Sequence, residues 1–88
     1  MKGYRGLSEA GNATNLLGPK VRELIALAVA VTRQCDGCII THTDAAIKQG
    51  ATGEEIVEAL SVAVAVNAGA ALIFSSRVMD AFNAKTSV

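Results

Sequence analysis

The chain has 88 residues, 51% of them hydrophobic and 18% charged, and its eight basic and eight acidic side chains cancel to no net charge. This length allows one small domain, and the neutral charge argues against nucleic acid or an anionic membrane as the partner. So much apolar surface cannot all be buried within one protomer of this size, and we therefore expect a homo-oligomer.

The first predicted helix follows a weakly patterned start. Apolar residues among residues 1–17 form at most a loose helical face, and Gly11 and Asn12 weaken a helix there. A proline is favoured at the first helical position, so the Gly-Pro pair that ends at Pro19 is typical of a helix start. Apolar residues at helical spacing then continue to about Thr32, which predicts a helix over this segment.

A break around the first cysteine separates this helix from a second one. We expect the second helix from about Asp36 to Gln49, with Gly50 as its C-terminal cap. Thr52 and Glu55 then have the spacing of a capping box, in which each side chain accepts a hydrogen bond from the other residue's backbone N–H. The third helix therefore begins directly after Thr52.

The remaining sequence predicts two helices in succession. The third helix is expected to end near Val66, because the Asn-Ala-Gly sequence of residues 67–69 is typical of a short break or a close helix crossing. A last helix covers about residues 70–83. No alternating strand pattern competes with these helices, so we predict an all-α fold. We treat residues 1–88 as one helical domain with its core at about 17–83.

Localisation is inferred from two segments. Polar and glycine residues interrupt any apolar run between residues 7 and 18, which is not typical of a signal peptide, and we expect a cytoplasmic protein. The weakly polar stretch over residues 59–74 is 16 residues long, fewer than the roughly 20 that a membrane span needs. We favour a helix buried in an oligomer over a membrane helix for this stretch.

The segment from Arg33 to His42 is the chemically dense part of the chain. Two cysteines three positions apart at a helix start can form a short disulfide, and the unpaired N–H groups there favour the thiolate. His42 follows Cys38 by four residues, so it lies one turn on along the same helix face and can accept the thiol proton. This pattern favours a redox-active dithiol.

Three other interpretations remain open. The cysteines could be small buried apolar residues, with His42 a core histidine. They could form a structural disulfide, although so short a loop constrains the unfolded chain little. Cys35, Cys38 and His42 are also plausible zinc ligands, but the chain has no second pair of Cys or His residues. The fourth ligand would come from another protomer or be one of three acidic residues: Glu23, Asp36 or Asp44.

Glu23 lies in the first turn of the helix that begins at Pro19, where a glutamate is ordinarily a solvated charge that suits the helix dipole. If the next helix folds back antiparallel, Glu23 and His42 are offset by roughly 6 Å at ~1.5 Å per residue. The glutamate side chain, a tilted crossing or one water can bridge that offset. Geometry therefore permits a relay from glutamate to histidine to cysteine without requiring it.

The chain resembles the alkylhydroperoxidase AhpD-like family, part of the carboxymuconolactone decarboxylase superfamily. Four residues have the spacing of that family's Glu-Cys-Cys-His pattern: Glu23, Cys35, Cys38 and His42. The neighbouring residues 20–28 and 46–56 agree as well, and the likeness covers about residues 17–82. The resemblance implies an AhpD-like helical bundle that assembles as trimers or hexamers.

The resemblance also implies a role for each of these residues. Cys38 would be the peroxidatic thiolate, and Cys35 would resolve the resulting sulfenic acid to a disulfide. His42 and Glu23 would form the proton relay, through water, that activates Cys38. Regeneration would require an external dithiol, lipoyl-bearing or thioredoxin-like, and a peroxiredoxin is a potential client. We expect neither a cofactor nor a metal.

AhpD proper is about twice as long, so this chain resembles a single core unit, and the contacts of the missing half would come from other protomers. The decarboxylase branch of the superfamily does not depend on a cysteine pair, so Cys35 and Cys38 argue against it. Two alternatives to a peroxidase or disulfide reductase are retained. One is a non-catalytic helical oligomer whose cysteines sense redox state or clip a metal. The other is a lyase acting on small carboxylated lactones, with His42 as acid and base.

Overall fold

The computed structural model describes residues 2–87, which form four α-helices. Their bounds are α1 (Lys2–Asn12), α2 (Pro19–Arg33), α3 (Asp36–Lys48) and α4 (Gly53–Thr86). No strand occurs in residues 2–87, so the predicted all-α fold is confirmed. Helix α2 is central, because it packs against α3 and also against α4.

Helix α2 begins where its local sequence signal predicts. Pro19 is the first residue of α2, and the preceding Gly18 has a φ of 80°, a conformation that side chains rarely adopt. Helix α2 ends at Arg33, and the next residue, Gln34, is a left-handed cap whose N–H donates to carbonyl oxygens of the last turn. Because that cap reverses the chain, α2 and α3 form a helical hairpin with Cys35 at the start of α3.

The turn between α3 and α4 also matches its prediction. Gly50 has a φ of 86°, and its N–H donates to the Ile47 carbonyl oxygen, so it ends α3 as a glycine cap does. At the start of α4, the Glu55 N–H donates to Thr52 Oγ1 at 3.1 Å and the Thr52 N–H donates to Glu55 Oε1 at 2.9 Å. The predicted capping box is therefore confirmed.

The predicted break at residues 67–69 is wrong, because these residues lie inside α4, one continuous helix of 34 residues. Asn and Gly each cost a helix at most about 1 kcal/mol, and no proline is present to end it. Asn67 Nδ2 also donates to the carbonyl oxygen of Ala63 at 2.7 Å and to Thr32 Oγ1 of α2 at 2.8 Å. Asn67 therefore lies at a contact between α2 and α4, whereas Gly69 faces open space.

Helix α1 forms more completely than its weak pattern suggests. Gly11 and Asn12, which were expected to weaken it, occupy its final turn. None of its residues is buried. A hydrogen bond links it to α2, because Arg22 Nη1 donates to the Gly11 carbonyl oxygen at 2.7 Å.

The buried core within residues 2–87 is small: Leu27, Ala30, Ala46 and Ala63. The radius of gyration is 17.9 Å, whereas a compact chain of this length has one of about 12 Å. The accessible surface is 6950 Å², against about 4,900 Å² for a compact monomer of this mass. One protomer therefore leaves much of its apolar surface uncovered.

Half of the 20 large apolar side chains that residues 2–87 expose lie on α4, six of them on its C-terminal half. Its large exposed side chains there are Leu72, Ile73, Phe74, Val78, Met79 and Phe82. By length and composition alone α4 is long and apolar enough to cross a membrane, with a mean hydropathy of 2.0 over its most apolar 18 residues. At 34 residues the continuous helix exceeds the roughly 20 residues that a membrane span needs, unlike the 16-residue stretch over residues 59–74.

Candidate redox site

The two cysteines form a disulfide at the start of α3. Their Cα atoms are 5.3 Å apart, as the short loop predicts. Cys35 is the N-cap residue of α3, and its Sγ accepts a hydrogen bond from the Cys38 N–H at 3.3 Å. A sulfur in this position lies at the positive end of the helix dipole, which favours a thiolate when the pair is reduced.

Glu23 and His42 are in direct contact. Glu23 Oε1 lies 2.7 Å from His42 Nδ1, so the expected offset between α2 and α3 is bridged without a water between the two side chains. The side chains are 24% and 23% exposed, respectively. A carboxylate can only accept a hydrogen bond, so Nδ1 carries the proton that joins the pair. In a neutral ring Nε2 then keeps its lone pair and is the basic nitrogen.

His42 lies between two neighbouring clefts. One cleft contains Glu23 together with Arg22 and side chains of α1. The other has a volume of about 320 Å³ and contains both cysteines. Since Nδ1 is engaged by Glu23, Nε2 is the nitrogen left for the cysteine side. The four residues of the predicted pattern are thus gathered where α2 and α3 pack together.

Two further residues line the cysteine cleft, and the sequence pattern had assigned neither of them a role. They are Tyr4 of α1 and Arg33 of α2. The signal for Arg33 was its position two residues before Cys35, at the end of a predicted helix. Tyr4 had no comparable signal, because it is far from the cysteines in sequence and its helix is only weakly patterned.

The acidic residues considered as zinc ligands do not assemble around the cysteines. Glu23 bonds His42, and Asp44 Oδ2 pairs with Lys48 Nζ at 2.9 Å. Within residues 2–87 no group of three Cys, His, Asp or Glu side chains is placed to hold a metal ion. Both sulfurs that such a site would use are joined to each other.

An ion pair fixes the start of α2 relative to the start of α4. Lys20 Nζ donates to Glu55 Oε2 at 2.8 Å. This hydrogen bond, and then the one from the Thr52 N–H, hold the pKa of the Glu55 carboxyl below its ordinary value. Glu55 thus serves both the capping box and the contact between two helices, one of which carries Glu23.

Comparison with known proteins identifies the family. The model of the carboxymuconolactone decarboxylase family matches residues 1–81. An uncharacterized protein of Haemophilus influenzae is 45% identical over 83 residues, covering 94% of this chain and 74% of that protein.

Two other relatives are similar over most of the chain. An uncharacterized protein of Cupriavidus necator is 32% identical over 84 residues, or 96% of this chain and 74% of that protein. Uncharacterized protein 4 in the cox locus of Paracoccus denitrificans is 38% identical over 76 residues, or 86% of this chain and 68% of that protein. None of these three names states an activity. The family match and the relatives together show that the chain belongs to the carboxymuconolactone decarboxylase family.

Proposed function

We propose that the protein is a cysteine-based peroxidase or disulfide oxidoreductase of the AhpD-like type. The observation that carries this proposal is the direct Glu23–His42 contact beside a cleft that contains the Cys35–Cys38 disulfide. A histidine oriented by a carboxylate and placed one helical turn from a cysteine is the arrangement that activates a thiol as a nucleophile.

The oxidative half of the reaction begins with the reduced pair. His42 Nε2 takes the proton of the Cys38 thiol, and the thiolate attacks the terminal oxygen of a hydroperoxide. The O–O bond breaks, Cys38 becomes a sulfenic acid, and the leaving alkoxide takes a proton to form an alcohol. Cys35 then attacks the Cys38 sulfur, the disulfide forms and water leaves. The hydroperoxide gains the two electrons that the two thiols lose.

Glu23 is proposed to orient His42 and to stabilise its protonated form. The carboxylate fixes the proton on Nδ1, so Nε2 receives the thiol proton and can return it to the leaving oxygen. Glu23 therefore acts on the reaction through His42.

Cys35 is suited to resolving the sulfenic acid. The Cys38 N–H that donates to its sulfur stabilises a thiolate at the N-cap, which favours attack of this thiolate on the Cys38 sulfur. The same stabilisation makes Cys35 a good leaving group when an external dithiol returns the disulfide to two thiols. We propose a lipoyl-bearing or thioredoxin-like donor for that step and a peroxiredoxin as a potential client.

We further propose that the protein works in the cytoplasm as a homotrimer or homohexamer whose interface includes residues 59–74. The exposed apolar surface of α4 supports the assembly, since one protomer exposes about 2,000 Å² more surface than a compact monomer of its mass. That excess is more than twice the roughly 800 Å² that each partner buries in a standard interface, which is enough for more than one interface per protomer.

The proposed function is tested by counting thiols and measuring intact mass before and after one equivalent of hydroperoxide. We expect rapid loss of two thiols per chain, a disulfide between Cys35 and Cys38, and one alcohol per protein. Slow reaction at the rate of a free cysteine would overturn the peroxidase. Zinc that stays bound in stoichiometric amount through purification, with loss of structure on chelation, would favour a metal clip instead.

A further inference from the structure

The cleft that contains the cysteines also has a cation at its wall. Arg33 lines this cleft together with Cys35, Cys38 and His42. Arg33 is exposed, and no acidic side chain among residues 2–87 forms an ion pair with it. Its guanidinium is therefore available to a ligand that enters the cleft.

Arg33 differs in this respect from four other basic residues of the chain. Each of those has a partner within the same protomer: Lys20 with Glu55, Arg22 with a backbone carbonyl, Lys48 with Asp44 and Arg77 with the ring of Phe74. An arginine in the last turn of a helix also suits the helix dipole. That interaction uses the charge but not the hydrogen-bond donors of the guanidinium.

The other groups near the sulfurs leave the cleft favourable to an anion. Glu23 is engaged by His42 and lines the neighbouring cleft. Asp36 follows Cys35 in the chain but is not one of the residues that line the cysteine cleft. The start of α3 adds a partial positive charge.

The remaining walls of the cleft are largely apolar: Tyr4, Ala26, Val29 and Ala30. A ligand that fits them has an apolar body, and a planar guanidinium binds a carboxylate through two parallel hydrogen bonds. We propose that Arg33 is a specificity-determining residue that binds the carboxylate of a small apolar hydroperoxide or disulfide while its reactive bond meets the cysteines. The reaction in this proposal rests on the proposed function, whereas the anion preference of the cleft does not.

The anion preference is tested by alkylating the reduced protein with iodoacetate and iodoacetamide. These probes are nearly the same size and differ in charge, and each reacts by thiolate attack on its CH₂ group with loss of iodide. We expect Arg33→Gln to lower the ratio of the iodoacetate rate to the iodoacetamide rate by roughly 3- to 10-fold, since one charge nearby is removed. Arg33→Lys should keep most of the ratio.

Lys48→Gln is the matched control, because it removes the same charge at the opposite end of α3, about 18 Å along the helix. It should leave the ratio unchanged. An equal fall in Lys48→Gln would mean that only the net charge matters, and an unchanged ratio in Arg33→Gln would mean that Arg33 does not act on the cleft. Either result overturns the proposal.

A second measurement uses substrates with and without carboxylates. The reduced pair is oxidised by 3,3′-dithiodipropionate or by the neutral 2-hydroxyethyl disulfide, each of which accepts two electrons and leaves as two thiols. Arg33→Gln should slow this single-turnover oxidation by the dicarboxylate alone. Normal peroxide turnover together with equal reactivity toward charged and neutral reagents would contradict the Arg33 proposal and leave the proposed function standing. A charge-dependent alkylation ratio without any peroxide turnover would remove the proposed function alone.

Discussion

Replacing Glu23 with glutamine changes one charge at the contact on which the proposed mechanism depends. The glutamine side chain is the same size as the glutamate, and its amide oxygen can still accept the hydrogen bond from His42 Nδ1. The proton of a neutral His42 therefore stays on Nδ1, while the negative charge that stabilises a protonated His42 is lost. Fold and assembly should not change.

The size of the effect follows from the geometry. For charge centres about 4 Å apart and an effective dielectric constant of 20, the attraction is about 4 kcal/mol. Both side chains are about a quarter exposed, so water screens part of this energy. We expect Cys38 to react with peroxide about 10²-fold more slowly, the lower range for a positioned acid or base. That factor corresponds to about 2.7 kcal/mol.

The assay is the pH–rate profile of Cys38 alkylation, measured with Cys35→Ser as background so that one thiol reacts. The Glu23→Gln rate should recover at high pH, because hydroxide then removes the thiol proton. Glu54→Gln is the matched control, since Glu54 also lies near the start of a helix. Glu54 is in the first turn of α4, whereas Glu23 is the fifth residue of α2 and follows its first turn, so the expected first-turn position of Glu23 is wrong. If the Glu23→Gln profile coincided with that of the parent, Glu23 would be only a charge near the start of α2, and the relay would be refuted.

Three further predictions concern the cysteines, the assembly and the start of α4. Cys38→Ser should abolish peroxide consumption, whereas Cys35→Ser should allow one turnover and leave Cys38 as a sulfenic acid or in an intermolecular disulfide. Intact mass distinguishes these two products. If Cys35→Ser were inactive and Cys38→Ser still reacted once with peroxide, the assigned roles would be reversed. Light scattering at micromolar concentration should give a trimer or hexamer, and a 9.0 kDa particle would contradict the interface at residues 59–74. The pKa of Glu55 is lower in the folded protein than in the unfolded chain. The ionised carboxylate therefore stabilises the fold fully at pH values above the ordinary glutamate pKa of about 4.3, and this stabilisation is lost as the pH falls through the lower pKa of the folded state. Denaturant midpoints at pH 3 and pH 7 should therefore differ less in Glu55→Gln than in the parent.

The helix ends could be predicted because their signals are local. Pro19, Gly50 and the Thr52–Glu55 pair each determine the backbone within a few residues, whatever packs around them. The break near Asn67 was predicted from the same kind of signal and was wrong. The Asn67 side chain donates a hydrogen bond to Thr32, which is 35 residues away in the chain, and no local pattern contains that contact.

The candidate site was predictable to a similar degree. The positions of Cys35, Cys38 and His42 on one helix follow from their spacing alone. The contact between Glu23 and His42 required the angle between α2 and α3, which the sequence left open to a direct bond or a water. Arg33 became a candidate only when the chain reversal at the end of α2 placed it beside the cysteines.

A core of one leucine and three alanines limits how a single chain can stay folded. So few buried side chains offset only a small part of the entropy lost by ordering residues 2–87. If the long apolar helix α4 is covered by other copies, folding and association are one equilibrium, and the temperature of unfolding rises with protein concentration. Dilution would then act on this protein as a denaturant does, and the redox site would be lost with the assembly.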